Sequence, residues 1–268
     1  MRHSLTLILL LTLTACSVFS TSPIASDAKS PPAADLYAEA KENMKDVQYE
    51  KAVKSFEKLQ SLYPYSRYAQ QAQLEIAYAY YKQKEPESAL AAADRFIKQY
   101  PNNAHVDYAY YLKGLVNFNE DMGLLGSISK IDFSERDPKA ARDAFAAFKE
   151  LLTRFPNSQY ASDSRLRMQY LVNALAHYEI HVASYYLRRG AYVAALGRAK
   201  DVLTDYPKTP STLDALQIMV QAYDAMGMKD LRDDTRRVLD TNVARDGAIA
   251  PAVKPSPQNE GSWWQFWK

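Results

Sequence analysis

Aromatic-proline pairs recur four times in this 268-residue chain and constrain its fold more than any other feature. The pairs are Tyr63-Pro64, Tyr100-Pro101, Phe155-Pro156 and Tyr206-Pro207. The residues twelve before each proline are Ala52, Ala89, Ala144 and Ala195. Those eight before it are Phe56, Ala93, Phe148 and Ala199, and those five before it are Leu59, Phe96, Leu151 and Val202. This spacing puts each set on one face of a helix that the proline ends.

The pattern is the second half of a tetratricopeptide repeat, A-x₃-F followed by a closing proline. Segments 52–56 and 144–148 match it literally, although the Trp and Gly signature of the first helix is missing. Each helix pair in such an array exposes an apolar face that only its neighbour can cover. The sequence therefore predicts an all-α, right-handed superhelix of about five tetratricopeptide-like helix pairs over residues 34–245. An unrelated helical bundle with chance alanines remains the alternative.

The distances between the repeated alanines, 37, 55 and 51 residues, predict where the array departs from regularity. The long third repeat contains several glycines and serines, which predicts an inserted loop over about 119–138. Residues 163–189 contain no proline or glycine, which predicts one overlong helix of about 40 Å that ends at Gly190. A fifth helix pair is expected from near Ser211, turning at Gly227 and ending near Arg245.

The N-terminus carries a targeting signal. A basic start precedes a short apolar run over residues 5–14, which is typical of a secretory signal peptide and too short to span a bilayer. Leu13-Thr14-Ala15 precedes the single cysteine, Cys16, and resembles the bacterial lipobox. That resemblance implies a signal peptide over 1–15, a lipidated Cys16 and a flexible tether over 16–33. Ser17, where inner-membrane lipoproteins often carry Asp, favours the outer membrane; an unlipidated cysteine is the alternative.

Further strings carry a resemblance to one family over roughly residues 34–242. They are Gln71-Ala72-Gln73-Leu74, Ala77-Tyr78-Ala79-Tyr80-Tyr81-Lys82, Asp94-Arg95-Phe96-Ile97, Asp107-Tyr108, Arg136-Asp137-Pro138, Ala141-Arg142, Ala144-Phe145, Pro156-Asn157-Ser158-Gln159-Tyr160, Tyr185-Tyr186 and Arg189-Gly190-Ala191-Tyr192-Val193-Ala194. Together with the lipobox, the insertion and the overlong helix, they resemble the BamD/ComL family, the lipoprotein of the outer-membrane β-barrel assembly machinery.

The resemblance implies a scaffold without catalytic activity, cofactor or metal, anchored through Cys16 at the periplasmic face of the outer membrane. Its C-terminal repeats would bind the periplasmic POTRA domains of the barrel assembly subunit, beside other lipoproteins of the complex. Its N-terminal repeats would offer a groove to unfolded outer-membrane proteins. The alternative is a lipid-anchored repeat adaptor for pilus biogenesis or the peptidoglycan layer, since repeats alone do not identify a partner.

Two sets of residues are candidate contacts. Tyrosines that fall in the first helices of repeats two and three are candidates for the client groove: Tyr78, Tyr80, Tyr81, Tyr108, Tyr110 and Tyr111. Adjacent tyrosines cannot share a helix face, so at least one of each adjacent pair is expected to point away from the core. Arg189 and Arg198 are candidate salt-bridge donors to the assembly subunit, with an ion pair inside the array as the alternative.

The C-terminal tail, residues 246–268, differs from the repeats in composition, because Pro251, Pro255 and Pro257 exclude a regular helix. Its final residues include Trp263, Trp264, Phe266 and Trp267, and three uses stay open for them: the membrane interface, a partner groove, or the array itself.

Composition and motifs argue against other functions. With 33 basic and 31 acidic residues, the chain lacks the strong positive charge of nucleic-acid-binding proteins. One cysteine excludes an internal disulfide and a cysteine-ligated zinc site. His177 and His181 are four residues apart, but Glu179 between them lies on another helix face, so no zincin-type metal site is expected.

Overall fold

The computed structural model describes residues 31–122 and 138–246, and the secondary structure within these ranges is helical. Ten helices follow one another in these two ranges: α1 Ala33–Lys45, α2 Tyr49–Leu62, α3 Arg67–Gln83, α4 Pro86–Gln99, α5 Val106–Met122, α6 Lys139–Arg154, α7 Ala161–Arg188, α8 Tyr192–Asp205, α9 Ser211–Ala225 and α10 Lys229–Asp246. Cys16, the C-terminal aromatic residues and most of the predicted insertion lie outside the described residues.

The helices form a tetratricopeptide-like array of consecutive pairs, which confirms the predicted fold class. Each helix packs against the next along the chain. The odd-numbered helices also contact one another, α1 with α3, α3 with α5 and α7 with α9. We call the side along which these odd-numbered helices meet the inner side of the array.

The positions predicted from the repeat form the core of the even-numbered helices. All twelve residues at the three repeated positions have 0% exposure, including Ala52, Phe56 and Leu59 in the first repeat. The aromatic residue before each proline occupies the C-cap, where its backbone N–H donates to the carbonyl four residues earlier. The helix therefore completes its last backbone hydrogen bond before the proline ends it.

Two irregular parts of the array lie within the described residues, the end of α5 and the long helix α7. Helix α5 continues to Met122, so residues 119–122 of the predicted insertion are helical. This stretch contains no proline or glycine, and the first helix breaker is Gly123. Helix α7 spans 28 residues. The chain turns after α7 at Gly190 (φ 75°) and after α9 at Gly227 (φ 71°), in the left-handed conformation that glycine adopts most easily.

The long helix α7 connects two hydrophobic clusters. Leu171 and Leu175 belong to the cluster that runs back to α1, whereas Ala176 and Ile180 belong to the cluster built with α8 and α9. The boundary between the clusters therefore lies inside one continuous helix. None of the described helices is both long and apolar enough to cross a membrane.

Candidate binding surface on the inner side

The six candidate tyrosines are in the predicted helices, α3 and α5, but most of them are core residues. Tyr81, Tyr108, Tyr110 and Tyr111 are buried, and only Tyr78 and Tyr80 are partly exposed. The expectation that one tyrosine of each adjacent pair avoids the core is wrong for 110 and 111.

Both tyrosines of that pair are buried because α5 is covered on two sides. The Tyr110 ring lies 5.8 Å from the Phe155 ring at the end of α6. The Tyr111 ring stacks at 4.6 Å on Tyr160, which precedes α7. Tyr110 and Tyr111 lie about 100° apart around α5, so α6 and the start of α7 cover two adjacent faces of the helix.

Tyr78 and Tyr80 lie on different sides of α3. Burial raises the pKa of Tyr80, and the charges that act on it next are Glu57 of α2 and Glu85, which precedes α4. Tyr80 therefore points toward the even-numbered helices. Tyr78 packs 6.2 Å from Tyr81 and contributes to the electrostatic environment of Tyr108 on α5, which places it on the inner side. Of the six candidates, Tyr78 alone is both on the inner side and partly exposed.

Three partly exposed tyrosines outside the six candidates extend this inner surface. The rings of Tyr37 on α1 and Tyr68 on α3 lie 5.3 Å apart. Tyr160, beside Tyr111, lies 5.4 Å from Tyr108. We call Tyr37, Tyr68, Tyr78 and Tyr160 the inner aromatic strip, which runs from α1 to the start of α7. Tyr78 packs on the buried Tyr81, and Tyr160 packs on the buried Tyr108 and Tyr111.

A buried carboxylate supports one end of the inner aromatic strip. Glu75 on α3 is fully buried, and its Oε1 accepts a hydrogen bond from Lys41 Nζ at 2.6 Å and from the Tyr37 hydroxyl at 3.2 Å. Burial raises the pKa of Glu75, and the nearby Lys41 ammonium opposes that shift. The network fixes α1 against α3 and holds the Tyr37 ring in place.

A second polar network supports the other end. The Tyr111 hydroxyl donates to Asp163 Oδ2 at 2.7 Å, and Arg167 Nε donates to the same oxygen at 2.6 Å. The Arg167 guanidinium also lies 4.8 Å from the centre of the Phe118 ring. The start of α7 is thereby fixed to α5, next to Tyr160.

The two candidate arginines lie near the hydrophobic cluster that α7 forms with α8 and α9. Arg198 Nη1 donates to Glu179 Oε2 at 2.8 Å, and Arg142 Nη2 lies 3.7 Å from the other oxygen of the same carboxylate. The ion pair inside the array, kept as the alternative, is therefore present. The Arg198 side chain is still 41% exposed, so some of its five N–H donors can face a partner. Arg189, at the C-cap of α7, is exposed and lies over the Tyr185 ring.

The buried charges can be recognised in the sequence by their position in the apolar register of a helix. Glu75 comes three residues after Ala72 and four before Ala79, both of which are fully buried. Arg167 and Glu179 stand at corresponding positions in α7, in register with Leu171 and Ala183. A charged residue in the apolar register of a helix predicts a buried partner. Within the described ranges, no group of three or more His, Cys, Asp or Glu residues could hold a metal ion.

Comparison with known proteins agrees with this architecture. The family model YfiO, described as "Outer membrane lipoprotein", matches residues 29–239. A protein named "Outer membrane protein assembly factor BamD" from Neisseria meningitidis serogroup B is 47% identical over 233 residues, covering 87% of this chain and 86% of the relative. Proteins of the same name from Xylella fastidiosa (43% identical; 79% of this chain, 72% of the relative) and Vibrio cholerae (36%; 79% and 88%) also match. The chain belongs to the YfiO/BamD family of outer membrane lipoproteins.

Proposed function

We propose that this chain is a lipid-anchored scaffold for assembling outer-membrane β-barrel proteins, acting by binding rather than by catalysis. The observation that carries the proposal is the identity of up to 47%, over most of the chain, with proteins named outer membrane protein assembly factors. It favours this role over an adaptor for pilus biogenesis or the peptidoglycan layer. Cys16 would carry the lipid and hold the array at the periplasmic face of the membrane.

The inner aromatic strip is the proposed contact for unfolded outer-membrane proteins. Tetratricopeptide arrays bind extended segments along their concave side. Tyrosine offers a rigid apolar ring and a hydroxyl, which suits client segments rich in aromatic residues. Because Tyr37, Tyr68, Tyr78 and Tyr160 are partly exposed on the inner side, they replace the buried tyrosines as the client contacts.

The C-terminal half is the proposed docking site for the assembly subunit. Arg189 and Arg198 are accessible cations on neighbouring elements, and each could pair with a carboxylate of a POTRA domain. The tail with Trp263, Trp264, Phe266 and Trp267 would add contacts to the membrane or to the complex. Other lipoproteins of the complex would bind elsewhere on the array.

A pull-down from detergent-solubilised outer membranes tests the docking proposal. The baits are the unchanged chain, Arg189→Glu, a chain lacking residues 262–268, and Arg165→Glu as the control. Arg189 and Arg165 are both exposed at α7, near its C-terminal and N-terminal ends respectively. Arg198 is a poorer choice, because a glutamate there would face the buried Glu179 and affect folding.

We expect the unchanged chain and Arg165→Glu to recover the barrel assembly subunit in similar amounts. Arg189→Glu and the truncated chain should recover several-fold less, with unchanged circular dichroism and melting temperature. Recovery of a pilus secretin or a peptidoglycan enzyme without the barrel subunit would contradict the proposed function. Equal recovery by all four baits would remove Arg189 and the tail from the docking site.

A further inference from the structure

Four equivalent turns, each holding one aromatic-proline pair, connect successive helix pairs of the array. The residues just before the aromatic residue are Leu62, Gln99, Arg154 and Asp205, and those just after the proline are Tyr65, Asn102, Asn157 and Lys208. Three turns are thus polar or charged at both positions. The first turn, between α2 and α3, instead has the apolar Leu62 before the aromatic residue and the aromatic Tyr65 after the proline.

The two unusual side chains of the first turn are open to solvent. Tyr65 is 100% exposed and Leu62 is 42% exposed. A role inside the array would bury them, as it buries Leu59 one helical turn earlier. Because the equivalent turns carry polar residues, the fold does not require Leu62 and Tyr65. The exposed leucine and tyrosine at the tip of this turn are therefore available for contact with something outside the array.

The N-terminal end of the array lies at the same turn. The hydroxyl of Tyr63, between the two exposed residues, donates to the carbonyl of Pro31 at 2.9 Å. Cys16 precedes Pro31 by fifteen residues, which span at most about 50 Å when fully extended. If Cys16 carries the lipid, as the proposed function states, the first turn must stay within that distance of the membrane.

We propose that this turn is a second membrane contact, in which Leu62 and Tyr65 enter the headgroup region of the leaflet that holds the lipid anchor. Tyrosine is enriched at this interface because its ring is apolar and its hydroxyl is polar. Arg67, two residues after Tyr65, is exposed; one of its N–H groups donates to the Tyr68 hydroxyl, and the remaining donors are available to anionic headgroups. A weak contact of this kind becomes populated because the anchor keeps it close to the bilayer. Two attachment points fix which edge of the array faces the membrane.

Site-specific fluorescence on the full-length lipidated chain tests this contact. The chain is reconstituted into vesicles of phosphatidylethanolamine and phosphatidylglycerol that contain a spin-labelled lipid quencher. Lipidation blocks the Cys16 thiol, so an introduced cysteine is the single site for an environment-sensitive dye. The dye is placed at Ser61→Cys, beside the first turn, or at Lys98→Cys, the equivalent exposed position of the second turn. A third variant combines Ser61→Cys with Leu62→Gln and Tyr65→Asn, the residues of the second turn.

We expect the dye at position 61 to be quenched by the lipid quencher several-fold more than the dye at position 98, and to be shielded from aqueous iodide. Leu62→Gln with Tyr65→Asn should reduce quenching at position 61 to the level of position 98 without changing the circular dichroism spectrum. Equal quenching at 61 and 98 would overturn the proposal. A second result would also overturn it: shielding of the dye at position 61 from iodide in the absence of vesicles, increasing with protein concentration. That result would show that a second copy of the chain covers the turn.

Vesicle flotation separates the membrane contact from the anchor on which it depends. A chain that does not float with the vesicles, and whose mass shows an unmodified Cys16, contradicts the lipid anchor of the proposed function. A chain that floats but whose dye at position 61 is not quenched contradicts only the second contact.

Discussion

At the scale of single residues, small side chains set how closely the helices approach. The repeated alanines are fully buried between helices. Gly114 on α5 shows the limit of this packing, because a Cβ atom built there would lie only 2.7 Å from Cζ of the buried Phe148 ring. The phenyl ring is rigid and fully enclosed, so it cannot move away easily.

We predict that Gly114→Ala destabilises the array by about 1–3 kcal/mol through overpacking, even though alanine favours a helix. Gly197→Ala on α8 is the matched control, since a Cβ there meets nothing within 4 Å. That substitution should stabilise the chain by about 0.5–1 kcal/mol. Urea unfolding measures both values, and stabilisation by Gly114→Ala would contradict the close packing of α5 on α6.

The residues of the core were predictable where the repeat fixes them and unpredictable where neighbouring helices decide. The repeated alanine and aromatic positions follow from spacing alone. The side on which Tyr78 or Tyr80 lies depends on which helices flank α3, and a single helix periodicity does not contain that information. Tyr110 and Tyr111 were misjudged for the same reason, since periodicity does not reveal that α5 is covered on two sides.

At the scale of elements, α7 is the helix that physically connects the two hydrophobic clusters. Its 28 residues begin just after Tyr160, include Asp163 of the second polar network, and reach the hydrophobic cluster of α8 and α9. The length of α7 and its end at Gly190 were predictable, because proline and glycine are absent before that point. The division of its contacts between two clusters was not predictable from the sequence, because it depends on where α6 ends and on which part of α7 contacts α9.

We predict that glycines at the cluster boundary uncouple the two halves of the array. Ala174→Gly with His177→Gly flanks the boundary between Leu175 and Ala176 and should cost about 1–2 kcal/mol of helix stability. Thermal unfolding followed by circular dichroism should then separate into two transitions. Arg165→Gly with Gln169→Gly, at exposed positions of the same helix, should cost about as much and keep one transition. Two transitions in both variants would contradict the role of the boundary.

At the scale of the whole molecule, the two sides of the array offer different surfaces. The odd-numbered helices present the inner aromatic strip, whereas the even-numbered helices hold the repeated core positions and expose Glu57, Lys58 and their equivalents. A client that binds the strip must therefore approach from the inner side.

A photo-cross-linking residue tests this difference between the sides. Placed at Tyr78, it should capture an unfolded outer-membrane protein. Placed at Tyr80, it serves as the matched control, because both side chains are partly exposed on α3 but only Tyr78 faces the inner side. We expect several-fold more cross-linked product at 78, measured by gel shift. Capture at 80 alone would assign clients to the opposite side.

The buried polar groups have a consequence for how such a chain can change during evolution. Glu75 pairs with Lys41 of the preceding helix pair, whereas Asp163 and Glu179 have a cation within their own pair, Arg167 and Arg198 respectively. Deleting the first helix pair would leave Glu75 in the interior without its counter-charge, at a cost of several kcal/mol. The pairs are similar in shape but not interchangeable in order. The first two helix pairs are therefore joined by a buried charge, whereas the fourth pair, α7 and α8, carries its own counter-charges.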